Sequence, residues 1–148
     1  MQLEQKREYA MPFHAVIDTN VIISALISKK EDTATVRVIR AVLEGYITPL
    51  FTREILEEYD EVLHRNKFHL REKTIQKLLT AFRVFGAEVF PKPTLEILPD
   101  MDDLVFYEAA LEVEGAYLIT GNMKHYPARD FIVSPADMMR ILNDDIRA

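Results

Sequence analysis

The sequence predicts an α/β protein with a parallel sheet covered by helices on both faces. Two observations carry this. Short apolar runs rich in Val and Ile alternate along the chain with longer segments whose apolar residues recur at helical spacing. Helix caps and breakers fall between them, among them Thr52 before one helix and Gly45 and Gly86 after two others. Strands that alternate with helices pair in parallel and bury both faces.

Taken in order, residues 1–12 show no clear period and read as a lead-in to one domain spanning 1–148. "AVID" (15–18) is a compact apolar strand ending on Asp18. "NVIISALISK" reads as helical, with Val21, Ile22, Ala25 and Leu26 on one side. After the charged loop "KKEDT", Asp32 or Thr33 caps a helix carrying Val36, Val38, Ile39, Val42 and Leu43. "YITPLF" reads as a second strand, although Pro49 cannot donate to a ladder.

Thr52 then caps a helix over 52–65 with Ile55, Leu56, Tyr59, Val62 and Leu63 as its stripe. A further helix over 71–85 has Ile75, Leu78, Leu79, Phe82 and Phe85 as its stripe. "AEVF" is a third strand, and "PKPTLEILPD" with its prolines is a loop. Asp102 or Asp103 opens a helix with Phe106, Tyr107, Ala110 and Leu111 inward. "AYLIT" is a strand, "GNMKHYPAR" a loop and "DFIVS" a last strand. "SPADMMRIL" is a last helix, with Pro135 at its first position.

Composition narrows the function. No apolar run approaches the roughly 20 residues that span a bilayer, and the polar, mixed-charge start does not read as a signal peptide. The absence of cysteine removes disulfides, thiolate ligands and a cysteine nucleophile, and fits a cytoplasmic protein. A net charge of −6 argues against a nucleic-acid binder that relies on a broad basic surface. It argues less against an enzyme that meets a phosphodiester through a metal, because acidic ligands themselves lower the charge.

The carboxylates supply the functional signal. In parallel sheets, ligands gather beyond the carboxyl ends of the strands. Asp18 lies at one such end, and Thr120, Gly121 and Asn122 at another. On the 52–65 helix, Glu54, Glu57 and Glu61 point away from the stripe, whereas Glu58 and Asp60 sit on its two borders. Helix geometry does not choose between those two. Asp103 aligns with Phe106 and Ala110 on the inward face of its helix, with Asp102 and Asp100 close by. Any one of these acids has a plain structural reading as a cap, a turn residue or a solvated side chain. Three carboxylates from separate segments, converging where a crevice forms, instead suit a hard divalent cation such as Mg²⁺ or Mn²⁺.

"VIDTNVIISAL", "TREILEEYDEVLHRNKF", "PDMDDLVFYEAAL" and "AYLITGNMKHYP" occur in this order. They resemble the successive motifs of PIN domains, in particular of the small single-domain PIN proteins that act as toxins of toxin–antitoxin systems. The resemblance runs from about Phe13 to the last helix. It implies an α/β/α sandwich and Mg²⁺- or Mn²⁺-dependent endonuclease activity on single-stranded RNA. The partners it implies are a cognate antitoxin and a second copy in a homodimer.

By this resemblance Asp18, Glu58 and Asp103 are the metal-binding acids, which resolves Glu58 against Asp60, with Asp102 the alternative register for Asp103. Asn20 and Thr120 match the family's supporting polar positions, and Asn122 stands where many members carry a fourth acid. An amide oxygen can ligate a metal or orient water but brings no charge. Lys124 and His125, beside Asn122, are positioned to touch substrate phosphate, with a solvated loop as their plain reading. The basic stretch Arg65, Lys67, Arg71, Lys73 and Lys77 would guide RNA or meet an acidic antitoxin, or is simply solvated surface.

Two rivals fit less well. A haloacid-dehalogenase-like phosphatase wants an aspartate where Asn20 stands, and a receiver-like domain wants a lysine at a late strand end where "LITGN" has none. A PIN-fold RNA-binding or interaction module with little catalysis is the alternative from another class, favoured by Asn122 and the acidic charge. Metal-dependent cleavage separates it from the nuclease.

Overall fold

The computed structural model describes residues 11–147, so most of the expected lead-in lies outside the described residues. Five short strands form one all-parallel sheet: β1 (Phe13–Ile17), β2 (Ile47–Phe51), β3 (Ala87–Glu88), β4 (Tyr117–Ile119) and β5 (Ile132–Val133). Six helices among the described residues complete a three-layer α/β/α sandwich. They are α1 (Thr19–Ile27), α2 (Ala34–Leu43), α3 (Arg53–Leu63), α4 (Glu72–Phe85), α5 (Leu104–Leu111) and α6 (Pro135–Arg147). The helix α2 packs on β2 and α6, and α5 packs on β1, β2 and β4. No helix among the described residues is long and apolar enough to cross a membrane.

The strand order is β3-β2-β1-β4-β5. The chain builds outward from β1 through β2 to β3, then returns to lay β4 on the other side of β1. That reversal opens a crevice between the carboxyl ends of β1 and β4. The ladder runs one residue past β1, with the Asp18 N–H donating to the Ile119 carbonyl at 2.9 Å. Ala15, Val16, Ile17, Leu118 and Ile119 are fully buried, so the seam beneath Asp18 is solid core.

Pro49 is accommodated by its direction. Tyr46 accepts from Phe13 of β1, whereas Phe51 accepts from Val89 beyond β3. Odd-numbered residues of β2 therefore address β3. Pro49's missing N–H falls on that side, and β3 pairs only Leu50 and Phe51. Gly86 lies against this spot: a Cβ there would stand 2.4 Å from the Pro49 carbonyl and 2.3 Å from that of Phe82. Only glycine lets α4 end so close to β2.

The stripes fill the core as expected except at helix ends. Leu43, Phe85 and Leu111, each read as inward, are exposed, and Ala109 takes the inward place on α5. Each of these three is the last residue of its helix, where the packed face runs out. The third strand is shorter than "AEVF": Val89 is buried, but Phe90 is 77 % exposed.

Candidate metal and nuclease site

The loops beyond β1 and β4, the middle of α3 and the start of α5 meet at the crevice. Helix caps show which acids are engaged locally and which are not. The helices α2 and α3 are capped by Thr33 and Thr52, whose hydroxyls accept from Val36 and Ile55. The helix α6 starts with the Ser134 hydroxyl accepting from the Asp137 N–H. Asp18 stands at the N-cap position of α1 with extended backbone, yet its carboxylate makes no capping bond; Asp103 is already helical, in the turn that Asp100 caps and that runs into α5. Aspartate is among the strongest N-caps. Asp18 turns away from the backbone amides it could satisfy and faces the crevice instead.

Asp18 is buried, 6 % exposed. Its Oδ2 accepts from the Thr120 hydroxyl at 2.8 Å and the Tyr126 hydroxyl at 3.0 Å. Its Oδ1 has no hydrogen-bond partner among the described residues. Thr120 Oγ1 in turn accepts from the Asn122 N–H at 3.0 Å. Asn20 Oδ1 accepts from the Gly121 N–H at 3.1 Å, which ties the α1 start to the loop after β4. Burial, and then the charge of Asp18, push the Tyr126 phenol far up, so it is a proton donor throughout the working range of a protein.

Glu58 is half-buried, and its Oε2 accepts from the Thr19 hydroxyl. The next residue, Tyr59, is fully buried and donates to the Ile17 carbonyl, fastening α3 to the end of β1. Asp60, the other border acid of the helix, is exposed and contacts His64 instead. Asp103 is partly exposed and its Oδ2 lies 3.2 Å from His125 Nδ1. Asp102 is exposed, its N–H bonded to the Asp100 carboxylate, which caps the short turn Met101–Asp103. Asn122 and Lys124 are both exposed, and neither side chain enters a hydrogen bond among the described residues.

The carboxylates act on one another. The Glu58 carboxyl is pushed above its ordinary range by burial, and then by the charges of Asp18, Asp103 and Asp102, while the Thr19 hydroxyl works in the opposite sense. Asp103 is pushed up by burial and then by Asp18, against the lowering contact of His125. Three acids thus share a partly desolvated space with one imidazole beside them. Such a space favours a cation.

An all-oxygen, carboxylate-rich donor set of this kind fits Mg²⁺ or Mn²⁺, ions that keep several waters and need only one or two direct carboxylates. As they stand, no group of three or more His, Cys, Asp or Glu side chains among the described residues is close enough to hold an ion together.

Sequence reasoning missed Thr19, Tyr59 and Tyr126. The first two adjoin Asp18 and Glu58, which is a usable signal. Tyr126 is 108 residues from Asp18, and nothing local marks it. Among known families, a model described as a PIN domain matches residues 14–124. Comparison with curated proteins and with solved structures finds no match.

Proposed function

We propose, from the premise that this chain belongs to the PIN-domain family, that it is a metal-dependent endoribonuclease acting on single-stranded RNA. One observation carries the reading. Asp18, Glu58 and Asp103 come from three separate segments to the β1–β4 crevice, where the charge of Asp18 raises the cost of ionising both Glu58 and Asp103, and the Asp18 carboxylate is not spent on its helix cap.

On this reading Asp18, Glu58 and Asp103 hold Mg²⁺ or Mn²⁺, directly or through water, by the oxygens that their protein partners leave free. When bound, such an ion polarises a phosphoryl oxygen and lowers the pKa of an attacking water. The chain's own contribution is orientation. Thr120 and Tyr126 fix Asp18, Thr19 fixes Glu58 and His125 braces Asp103. Asn122 offers a neutral oxygen at the rim, Lys124 offers cationic contact to the phosphate backbone, and His125 offers an imidazole nitrogen to it. Asn20 and Thr120 hold the two loops together. Asp102 adds negative potential at the edge.

The resemblance to small single-domain toxins supports a role as the toxin of a toxin–antitoxin pair in the cytoplasm, with an antitoxin and a second copy as partners. One observation favours a second reading, an RNA-binding module with little catalysis: no three ligands close into a cage, and Asn122 withholds a fourth charge.

The deciding experiment is cleavage of labelled single-stranded RNAs by the purified protein with Mn²⁺, with Mg²⁺ and with EDTA, beside Asp18→Asn. Metal-dependent cleavage lost in the variant supports the nuclease. RNA binding without cleavage above the variant's background, across varied sequences, supports the module.

A further inference from the structure

We propose that Tyr126 is a positioning residue for Asp18: with Thr120 it occupies Oδ2 and leaves Oδ1 as the oxygen offered to the metal. The proposal rests on the reading of the crevice as a metal centre.

Four observations carry it. Both donors land on the same oxygen, at 2.8 and 3.0 Å. Oδ2 has two protein donors, whereas Oδ1 has none among the described residues and is not among the buried unpartnered atoms, so it is the oxygen open to the crevice. Thr120 Oγ1 accepts the Asn122 N–H, which directs its own proton to Asp18. Tyr126 is itself buried, 6 % exposed, and closes the turn Met123–His125 with its N–H on the Met123 carbonyl. Finally, Asp18 makes no capping bond to α1, so these hydroxyls are its orientation. Partners of this kind set the rotamer of a ligating carboxylate, and their loss typically costs about 10- to 100-fold in metal affinity or activity.

Tyr126→Phe removes one oxygen and keeps the ring. Mn²⁺ binding to the metal-free protein, read by electron paramagnetic resonance of the free ion, is expected to weaken about tenfold. The melting temperature without metal should change little, and kcat should fall more than KM rises. Thr120→Val, at the other donor, carries the same expectation and serves if Tyr126→Phe does not fold. Mn²⁺ affinity and kcat within twofold of wild type in a folded variant would overturn the proposal and leave the metal centre standing. A wild-type protein that binds no Mn²⁺ would instead remove the metal centre, and this role with it.

Discussion

Asp18 and Asp103 both stand near the start of a helix and both reach the crevice, but they are held in different ways. Asp18 is largely buried at the base of the crevice and receives two uncharged hydroxyl donors. Asp103 is partly open to water and receives one exposed imidazole. The floor of the site is ordered by hydrogen bonds in a dry setting, where each is strong and salt reaches poorly. The rim is ordered by a half-exposed imidazole contact, which solvent screens to the extent that it is ionic. Substitutions at the floor should therefore be large and insensitive to salt, and those at the rim small and sensitive to it.

The largest effect should come from Asp18→Asn. The amide oxygen can still accept from Thr120 and Tyr126, so the fold should survive. Removing a buried negative charge beside Glu58 and Asp103 should leave the metal-free melting temperature equal or higher, a site-for-stability exchange seen where function is strained. Mn²⁺ affinity should fall by at least about 100-fold, beyond the loss typical of an outer partner. Calorimetry of both quantities checks this. A variant that melts much lower would mean that the carboxylate is structural and the floor is misread.

The next effect is a pH dependence. Glu58 and Asp103 have folded-state values raised above their ordinary 4.5 and 3.8. An acid raised in this way contributes stability that is fully present below its unfolded value and lost as pH rises through its folded value. Glu58→Gln removes that cost and keeps an acceptor for Thr19. It should raise the melting temperature of metal-free protein at neutral pH, with the gain vanishing as pH falls below about 4.5. Mn²⁺ should stabilise wild type more than the variant. A gain that persisted at low pH would assign the effect to packing and not to charge.

These effects also show what the sequence could reveal. Periodicity located the five strands and the helices α1 to α6, because each stripe is a local pattern packed against a single core, but not the single turns Asn66–Phe68, Met101–Asp103 and Met123–His125. It failed at Leu43, Phe85 and Leu111, where the helix outlasts its packed face, a tertiary fact with no local mark. On α3 the two border acids were equivalent by angle. Asp60 lies beside His64 and α4, and Glu58 beside Asp18, because α3 runs between them. Asp18 was legible because a carboxylate ending an apolar strand is anomalous. Tyr126 was not, because an aromatic residue in a loop is ordinary until the fold brings it to Asp18 from 108 residues away.

At the rim, His125→Ala should change Mn²⁺ affinity by no more than about fivefold, the range of a half-exposed ion pair. The change should shrink between low salt and 0.15 M as screening sets in. A salt-independent loss matching that of Tyr126→Phe would place His125 functionally with the floor and erase the distinction between the two regions.

The smallest effect is expected of Lys124→Ala, and it tests the distinction most sharply. Lys124 is exposed, with no ion-pair partner among the described residues, so its loss costs no internal contact. In a chain of net charge −6 it is one of few cations beside the crevice, and a phosphate of bound RNA is the partner within its reach. A contact made equally to substrate and transition state is uniform binding. Its removal raises KM and leaves kcat unchanged. For single-stranded RNA the logarithmic salt slope of binding should become shallower by about 0.7, the share of one phosphate contact. If kcat falls instead, Lys124 touches charge that develops only in the transition state. The rim would then share in the chemistry.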